Sequence, residues 1–436
     1  MRWNVICRIG ENDDFAPNIN HEVPRLIVEF DNQAQSKLAA NRVISLLLKN
    51  GLKVDETIFD LLIFAMSIYT TDLRIERSFA SDRWTRRIIL HQPVAEPAKW
   101  EEAQPVLEKM LGFLTGDDWT FKFRPRHTIK HPAPEQREEL PSVVSLFSGG
   151  LDSFVGTIDL LEENKGNIAL VGQYGSGSTH PSQINTHQIL IEKYAGRTLP
   201  LGFWIQPAKP GKKSSEDTMR SRSILFLAHG TAVATACGNE TPLYVPENGL
   251  ISLNVPLSHS RMGSFSTRTT HPYFISCFRE FLAALNINVP VNLPYKFLTK
   301  GEMLRDAKNQ EVLREGLART LSCSRPDAGR FEKRPPGTHC GYCVPCIIRL
   351  SSMKAAGFEI KDAAFFDIAN VKTDPKTAKG RDRRGFELAI ERVKNLSSLR
   401  LVGEVLQSGP LPPENIQEYA GVYKRGLDEV ADLLQV

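Results

Sequence analysis

Apolar positions in the first 130 residues follow two spacings. Short apolar runs at residues 5–9, 26–30, 87–90 and 121–123 predict strands, and apolar residues at helical spacing at residues 38–48, 58–69 and 106–114 predict amphipathic helices. Strands mixed with helices in this way predict a small α+β accessory domain at residues 1–130. Because it holds no constellation of catalytic side chains, we expect it to serve docking or formation of a homodimer.

The pattern changes after a proline-rich, polar stretch at residues 131–141, which predicts a linker. From residue 142, buried strand candidates at residues 143–147, 168–171, 203–205 and 243–245 alternate with helix candidates at residues 184–194 and 224–236. This alternation predicts an α/β fold with a doubly wound, mainly parallel sheet, whose ligand lies at the carboxyl ends of the strands. The polar, mostly helical residues 358–436 predict a C-terminal extension.

The first strand of this region runs directly into a glycine-rich turn and then a helix. The turn consists of Ser148, Gly149, Gly150, Leu151, Asp152 and Ser153. Glycines allow backbone N–H groups to face a ligand, and a helix N-terminus adds unpaired donors, so the turn is suited to an anion. No lysine follows the glycines, which excludes a Walker loop. A glycine pair that only forms a turn is the alternative.

Further polar residues fall where such a nucleotide site needs them. Gln173 and Tyr174 follow the second strand, and Arg220, Arg222 and Ser223 begin a helix, where cations are unfavourable unless an anion shares the position. We therefore expect both arginines to contact phosphate. Arginines that extend into water are the alternative.

A long, hydroxyl-rich segment after the fourth strand is predicted to form the pocket of an acceptor substrate. Glu247 and Asn248 could bind the edge of a heterocycle, and Arg261 or Arg268 could hold a carboxylate. The remaining candidates are Asn254, in the same segment, and Lys300, which follows Thr299 in a Thr-x-x-Glu helix cap.

Four cysteines predict a metal site. Cys323, Cys340, Cys343 and Cys346 have the spacing C-x16-C-x2-C-x2-C, and four thiolates form a closed tetrahedral site for structural Zn²⁺. An iron-sulfur cluster, a site in which His339 replaces one cysteine, and four unliganded thiols are the alternatives.

Composition narrows the class of protein. The chain of 436 residues is long enough for two or three domains, and its net charge of +4 is too small to predict nucleic-acid binding. With no apolar signal sequence, no long apolar run and cysteines at metal-ligand spacing, we expect a cytoplasmic protein without a membrane segment.

Residues 148–153 resemble the pyrophosphate loop of ATP-pyrophosphatases (PP-loop enzymes), which split ATP between the α and β phosphates. The resemblance implies that Ser148, Gly149, Gly150, Asp152 and Ser153 hold pyrophosphate, with Asp152 near Mg²⁺. It also implies ATP as cosubstrate, Ser148, Asp152, Ser153 and Arg222 as catalytic residues, and nucleotide contacts from the residues after the second strand.

Together with the cysteine cluster, the Tyr244-Val245-Pro246 strand end and the Thr299-Lys300 cap, this loop resembles the 7-cyano-7-deazaguanine synthase (QueC) family over residues 142–357. The family adenylates 7-carboxy-7-deazaguanine and transfers it to ammonia. The extensions at both ends resemble long members of bacterial anti-phage systems, of the QatC or CBASS-associated type. These attach the deazaguanine to a co-encoded partner protein, here expected at its N-terminus.

Three alternatives remain at this stage: a nitrile-forming synthase that uses ammonia, a PP-loop enzyme that thiolates tRNA, and a scaffold without turnover. A thiolase needs a sulfur-carrying cysteine or an exposed iron-sulfur cluster near the nucleotide.

Overall fold

Nine strands in the described part of the chain form two sheets, and every neighbouring pair of strands is parallel. The computed structural model describes residues 1–18, 23–30, 40–163, 166–175, 177–207, 216, 218–257, 268–361, 363–371 and 373–436. The predicted α/β class is confirmed at this level.

The N-terminal sheet has the order β2-β1-β3-β4. Its strands are β1 Arg2–Ile9, β2 Arg25–Phe30, β3 Arg87–Val94 and β4 Asp118–Pro125. All four predicted strands are present, but their parallel pairing corrects the prediction of an α+β domain. The apolar pattern shows which residues are buried, whereas strand direction depends on the crossovers.

The central sheet has the order β7-β6-β5-β8-β9. Its strands are β5 Val143–Leu146, β6 Ile168–Tyr174, β7 Thr198–Trp204, β8 Leu243–Tyr244 and β9 Val291–Asn292. The chain moves outward from β5 through β6 to β7, and then returns to place β8 on the other side of β5. This reversal is a topological switch point, outside which ligands bind in doubly wound sheets.

Fifteen α-helices lie within the described ranges. They are α1 Ala40–Lys49, α2 Glu56–Arg74, α3 Pro97–Glu102, α4 Gln104–Thr115, α5 Leu151–Glu163, α6 Thr179–Lys193, α7 Arg222–Cys237, α8 Gly249–Leu253, α9 Pro272–Ala284, α10 Lys300–Asp306, α11 Gln310–Leu317, α12 Val344–Ala355, α13 Ala378–Val393, α14 Ser398–Leu406 and α15 Ile416–Leu434. In the described chain, no helix combines the length and the apolar character needed to cross a membrane.

Alternate side chains of the central sheet enter different hydrophobic clusters. Val144 and Val171 belong to a cluster with α7, whereas Val143 and Leu170 belong to a cluster with α5. The sheet is therefore covered on both faces, as the continuous apolar runs of its strands predict.

Helix α2 joins the two sheets. It is buried along most of its length and packs against α7, and the residues of both sheets share one hydrophobic cluster. The predicted linker at residues 131–141 therefore does not separate two independent cores. The C-terminal helices α13 to α15 share a second cluster with α12 and the cysteine region.

Buried ion pairs connect α2, β3 and the start of α7. Arg86 lies 2.6 Å from Asp72 and 2.5 Å from Asp117, and Arg77 lies 2.8 Å from Asp117. Asp72 also accepts hydrogen bonds from the backbone and the hydroxyl of Ser221, the residue that precedes α7. This placement is favourable because a carboxylate at a helix N-terminus interacts well with the helix dipole.

Adjacent aspartates offer a matched test of this network. Asp117→Ala removes one fully buried carboxylate from Arg77 and Arg86, so we expect the free energy of unfolding to fall by about 3–5 kcal/mol in urea titrations. Asp118 is 67% exposed beside Arg87, so Asp118→Ala should change it by no more than about 1 kcal/mol. Equal losses in the two variants would contradict the network.

Candidate functional site

The turn between β5 and α5 requires glycine at one position. Gly149 has φ +76°, and a Cβ there would lie 2.8 Å from the backbone nitrogen of Gln183 on α6. An alanine would therefore combine backbone strain with a steric clash. The sequence folds here as predicted, with the turn placed at the switch point between β5 and β8.

The turn presents unpaired amides. The backbone N–H groups of Gly149, Asp152 and Ser153 make no hydrogen bond to any described residue. Ser148 Oγ lies 3.2 Å from Ser153 Oγ and accepts from Gly150 N at 3.2 Å, so the hydroxyls brace the turn from within. Free amides at the first turn of a helix can bind an anion.

Residues distant in sequence hold the turn from outside. Gly149 O accepts hydrogen bonds from Ser182 Oγ at 3.0 Å and from Leu321 N at 2.9 Å, and Ser322 Oγ accepts from Leu151 N at 3.2 Å. Sequence reasoning missed these serines, because an isolated hydroxyl gives no recognisable motif. Ser322 precedes Cys323, so the turn and the cysteine cluster are neighbours.

Asp152 is bound by two other elements. Its Oδ2 accepts from Asn248 Nδ2 at 2.7 Å and from Asn248 N at 3.2 Å, and its Oδ1 lies 2.9 Å from Lys300 Nζ. Asn248 Oδ1 also caps α8 by accepting from Ile251 N. The Asn248 side chain is thus engaged at both ends, by Asp152 and by the cap of α8, and its contact with the edge of a heterocycle stays a prediction. Lys300 lies next to the turn through this ion pair.

Glu247 lies beside this group in a second hydrogen-bonded system. Thr270 Oγ1 donates to Glu247 Oε2, and Ser252 Oγ lies 2.7 Å from Thr270 Oγ1. Burial raises the pKa of Glu247 to about 7, and the charge of Asp152 raises it too, whereas Thr270 and Lys300 lower it. Thr270 and Ser252 were not predicted as site residues.

The end of β6 forms a third group. Gln173 Oε1 accepts from Arg222 Nε at 2.6 Å, and Arg222 also contacts the ring of Phe226. The ring of Tyr174 stacks on His180 with centroids 3.8 Å apart. Arg222 thus lies at the carboxyl edge of the sheet, where its guanidinium is already bound to protein.

Other predicted residues are directed elsewhere. Arg220 donates to Thr115 O and lies over Trp84, and Arg268 donates to Phe113 O and lies over its ring, so both arginines contact the N-terminal unit instead of the turn. Buried Ser223 bonds to Thr269, and Asn254 ends α8 in a left-handed conformation. Arg261 lies outside the described residues.

A cavity of about 610 Å³ borders the turn through Ser182 and Leu321. Its volume is in the range typical of small-molecule sites. The start of α6 and the segment after α11 form its walls, with Arg319 and Arg330 as its cations. Neither arginine stood out in the sequence.

The four predicted cysteines come together as a cluster. Their sulfur atoms all lie within 4.8 Å of one another, with 3.8 Å between Cys323 and Cys343 and 3.8 Å between Cys340 and Cys346. A tetrahedral Zn²⁺ with bonds of about 2.3 Å requires sulfurs about 3.8 Å apart. The cluster could therefore hold a zinc ion. His339 Nε2 instead accepts from Ser322 N at 3.2 Å.

The residues around Asp152 fit a magnesium ion less well than the four cysteines fit zinc. Mg²⁺ needs free carboxylate oxygens, and it is usually held by one or two carboxylates together with phosphates. Asp152 Oδ2 is bound by Asn248, whereas Oδ1 lies 2.9 Å from Lys300 Nζ and has no hydrogen-bond partner among the described residues. Because the ammonium group of Lys300 lies beside the one oxygen that a cation could bind, these residues do not fit a magnesium ion on Asp152.

No protein-family model matches the chain, and no curated protein matches it. Among solved structures, one described as an A-type ketoreductase from a modular polyketide synthase aligns over 72% of this chain and 86% of its own, at 10% identity and a TM-score of 0.20. A similarity this weak supports no conclusion about fold or function.

We expect elemental analysis to find about one zinc per chain. Cys343→Ser should lose the metal and become insoluble, because structural zinc contributes on the order of 10 kcal/mol to folding. Cys277→Ser, at a buried cysteine in a different hydrophobic cluster, should keep the zinc. Iron accompanied by visible absorbance would contradict the zinc assignment.

Proposed function

We propose that the chain is an ATP-dependent, adenylate-forming carbon–nitrogen ligase of the QueC type, and that its carboxylate substrate is 7-carboxy-7-deazaguanine. The observation that carries the proposal is the turn at residues 148–153, whose free amides lie at the switch point of a doubly wound sheet. The Ser-Gly-Gly-Leu-Asp-Ser motif resembles the pyrophosphate loop of ATP-pyrophosphatases, and we propose pyrophosphate as the anion because of this resemblance.

The reaction would proceed in two steps. The substrate carboxylate attacks the α-phosphorus of ATP, and pyrophosphate leaves with its charge stabilised by the amides of Gly149, Asp152 and Ser153. An amine then attacks the acyl carbon and displaces AMP. The nearby cavity of about 610 Å³ offers space for a bound nucleotide.

Lys300 supplies a cation at the switch point, in the crevice formed by Asp152, Glu247, Asn248 and Lys300 itself. It is almost completely buried, and its ion pair with Asp152 at 2.9 Å holds the ammonium group in one orientation. A buried cation next to the helix N-terminus would favour the approach of a polyanion such as ATP.

The thiolase alternative has less support. Outside the four-cysteine cluster, the described cysteines near the central sheet are Cys237 and Cys277, and both lie within the hydrophobic cluster. Burial raises the pKa of Cys237 to about 12, which disfavours the thiolate that sulfur transfer needs.

Pyrophosphate release from ATP and 7-carboxy-7-deazaguanine tests the proposed role of the turn. We expect Ser148→Ala and Asp152→Asn to lower the rate about 100-fold or more, since each removes a contact that shapes the anion site. Ser142→Ala, an exposed serine just before β5, should keep the wild-type rate. Wild-type rates in both site variants, with unchanged circular dichroism, would remove the pyrophosphate-loop assignment.

The acceptor amine is proposed to be the N-terminus of a co-encoded partner protein in an anti-phage system, with ammonia as the alternative. An α-amino group, with a pKa of about 8, has a usable neutral fraction at pH 7, whereas lysine at about 10.4 has almost none. Deleting residues 1–130 would not test this, because α2 belongs to the shared core.

Mass spectrometry of full-length enzyme reactions tests the acceptor. With ATP, 7-carboxy-7-deazaguanine and the co-encoded protein, we expect one deazaguanine amide at the protein's N-terminal residue. The same partner with a blocked N-terminus is the control and should remain unmodified. Equal formation of the free nitrile from ammonia, without any protein adduct, would favour the synthase.

A further inference from the structure

Glu247 has one oxygen bound and one available. Its Oε2 accepts from Thr270 Oγ1, while its Oε1 has no hydrogen-bond partner among the described residues. The residue follows β8 at the switch point and precedes Asn248, which binds Asp152. The charges of Asp152 and Lys300 both act on Glu247, so its carboxyl group lies near the ion pair beside the turn.

The hydroxyl groups of Thr270 and Ser252 form a chain that leads from Glu247 to the backbone oxygen of Asn248. Ser252 Oγ donates to Asn248 O at 2.9 Å and lies 2.7 Å from Thr270 Oγ1. When Glu247 is ionised, Ser252 turns its hydrogen to Thr270 and Thr270 donates to the carboxylate, while Asn248 O still accepts from Ser252 N at 3.0 Å. When Glu247 is protonated on Oε2, it donates to Thr270, and Thr270 turns its hydrogen to Ser252.

Both protonation states of Glu247 are thus hydrogen-bonded without any movement of heavy atoms. A buried carboxyl group with only donors around it would be locked as an anion. Here, one additional proton can be stored with every group in the chain still paired. This property is required of a group that accepts a proton during catalysis.

The two carboxylates of the crevice have different environments. Asp152 Oδ2 is hydrogen-bonded by Asn248, and its Oδ1 lies 2.9 Å from the ammonium group of Lys300. Glu247 has a hydroxyl as partner, and the charged groups that act on it are Asp152 on α5 and Lys300 on α10. Carboxylates separated in this way can take separate roles as charged support and proton acceptor.

We propose that Glu247 is the proton acceptor for the attacking amine in the second step, with Thr270 and Ser252 as positioning residues. This role rests on the proposed function. The amine lone pair forms the bond to the acyl carbon, the bond from that carbon to the AMP oxygen breaks, and AMP leaves with the electron pair. One N–H proton passes to Glu247, which releases it to water after the amide has formed.

Two assays on the full chain separate the steps: exchange of labelled pyrophosphate into ATP with 7-carboxy-7-deazaguanine, and amide formation with ammonia. Glu247→Gln should lower the ratio of amide formation to exchange about 100-fold or more. Asp159 lies on the same helix as Asp152 and has a half-buried carboxylate that accepts a hydrogen bond from Tyr295. Asp159→Asn should leave this ratio unchanged.

The pH profile distinguishes proton transfer from a structural role. At a constant concentration of neutral ammonia, wild-type amide formation should rise with pH through an inflection at about 7, because Glu247 must be ionised to act. Glu247→Gln should lose the inflection. Thr270→Val should move it to higher pH, because the lost hydrogen bond favoured the ionised form, and Thr270→Ser should restore it.

A Glu247→Gln variant that slows both steps equally, or neither, overturns the role of Glu247 while leaving the ligase intact. A Thr270→Val profile identical to wild type overturns the role of the hydroxyl chain. Absence of pyrophosphate exchange in the wild-type protein overturns the ligase and, with it, the proton acceptor.

Discussion

The site depends on a single carboxylate. Asp152 belongs to the first turn of α5, yet its oxygens bind Asn248 at the start of α8 and Lys300 at the start of α10. Three helix N-termini thereby meet at the switch point, where the strand order of the central sheet reverses between β5 and β8. Because Lys300 is almost completely buried, removing its partner would leave an uncompensated charge, at a cost of several kcal/mol. The ion pair between Asp152 and Lys300 therefore holds the starts of α5 and α10 together, and Lys300 is the cation of the crevice.

One residue, Ser322, connects the cysteine cluster to the turn at residues 148–153. Ser322 precedes Cys323, accepts from the amide of Leu151, and donates its own amide to His339 beside Cys340. A metal that fixes Cys323 and Cys340 would restrict Ser322 and, through it, the turn. The described positions thus give a structural metal a mechanical connection to the anion site. Four cysteine ligands also leave no open position for water.

Local chemistry was predictable from the sequence, but long-range pairing was not. The glycine turn, the cysteine cluster and the central strands each have a local signature, namely residue type, spacing or a continuous apolar run. Arg220 and Arg268 have the same local chemistry as Arg222, yet they bind the N-terminal unit because α2 and α4 lie there. Asn248 was predicted as a substrate contact because of its amide group. In the structure, this amide caps α8 and donates a hydrogen bond to Asp152. Thr270 and Ser252 become recognisable only once Glu247 is placed beside them.

The N-terminal unit has a physical connection to the site that its sequence does not reveal. Asp72 on α2 binds Ser221, the residue that precedes α7, and Arg222 in the first turn of α7 binds Gln173 at the carboxyl edge of the central sheet. A displacement of α2 would therefore act on the first turn of α7 and on the guanidinium held there. Since both sheets share one hydrophobic cluster, this path of packed and hydrogen-bonded groups runs from the N-terminal sheet to the carboxyl edge of the central sheet. The unit is thus part of the scaffold that positions Arg222, and its predicted role in docking stays a prediction.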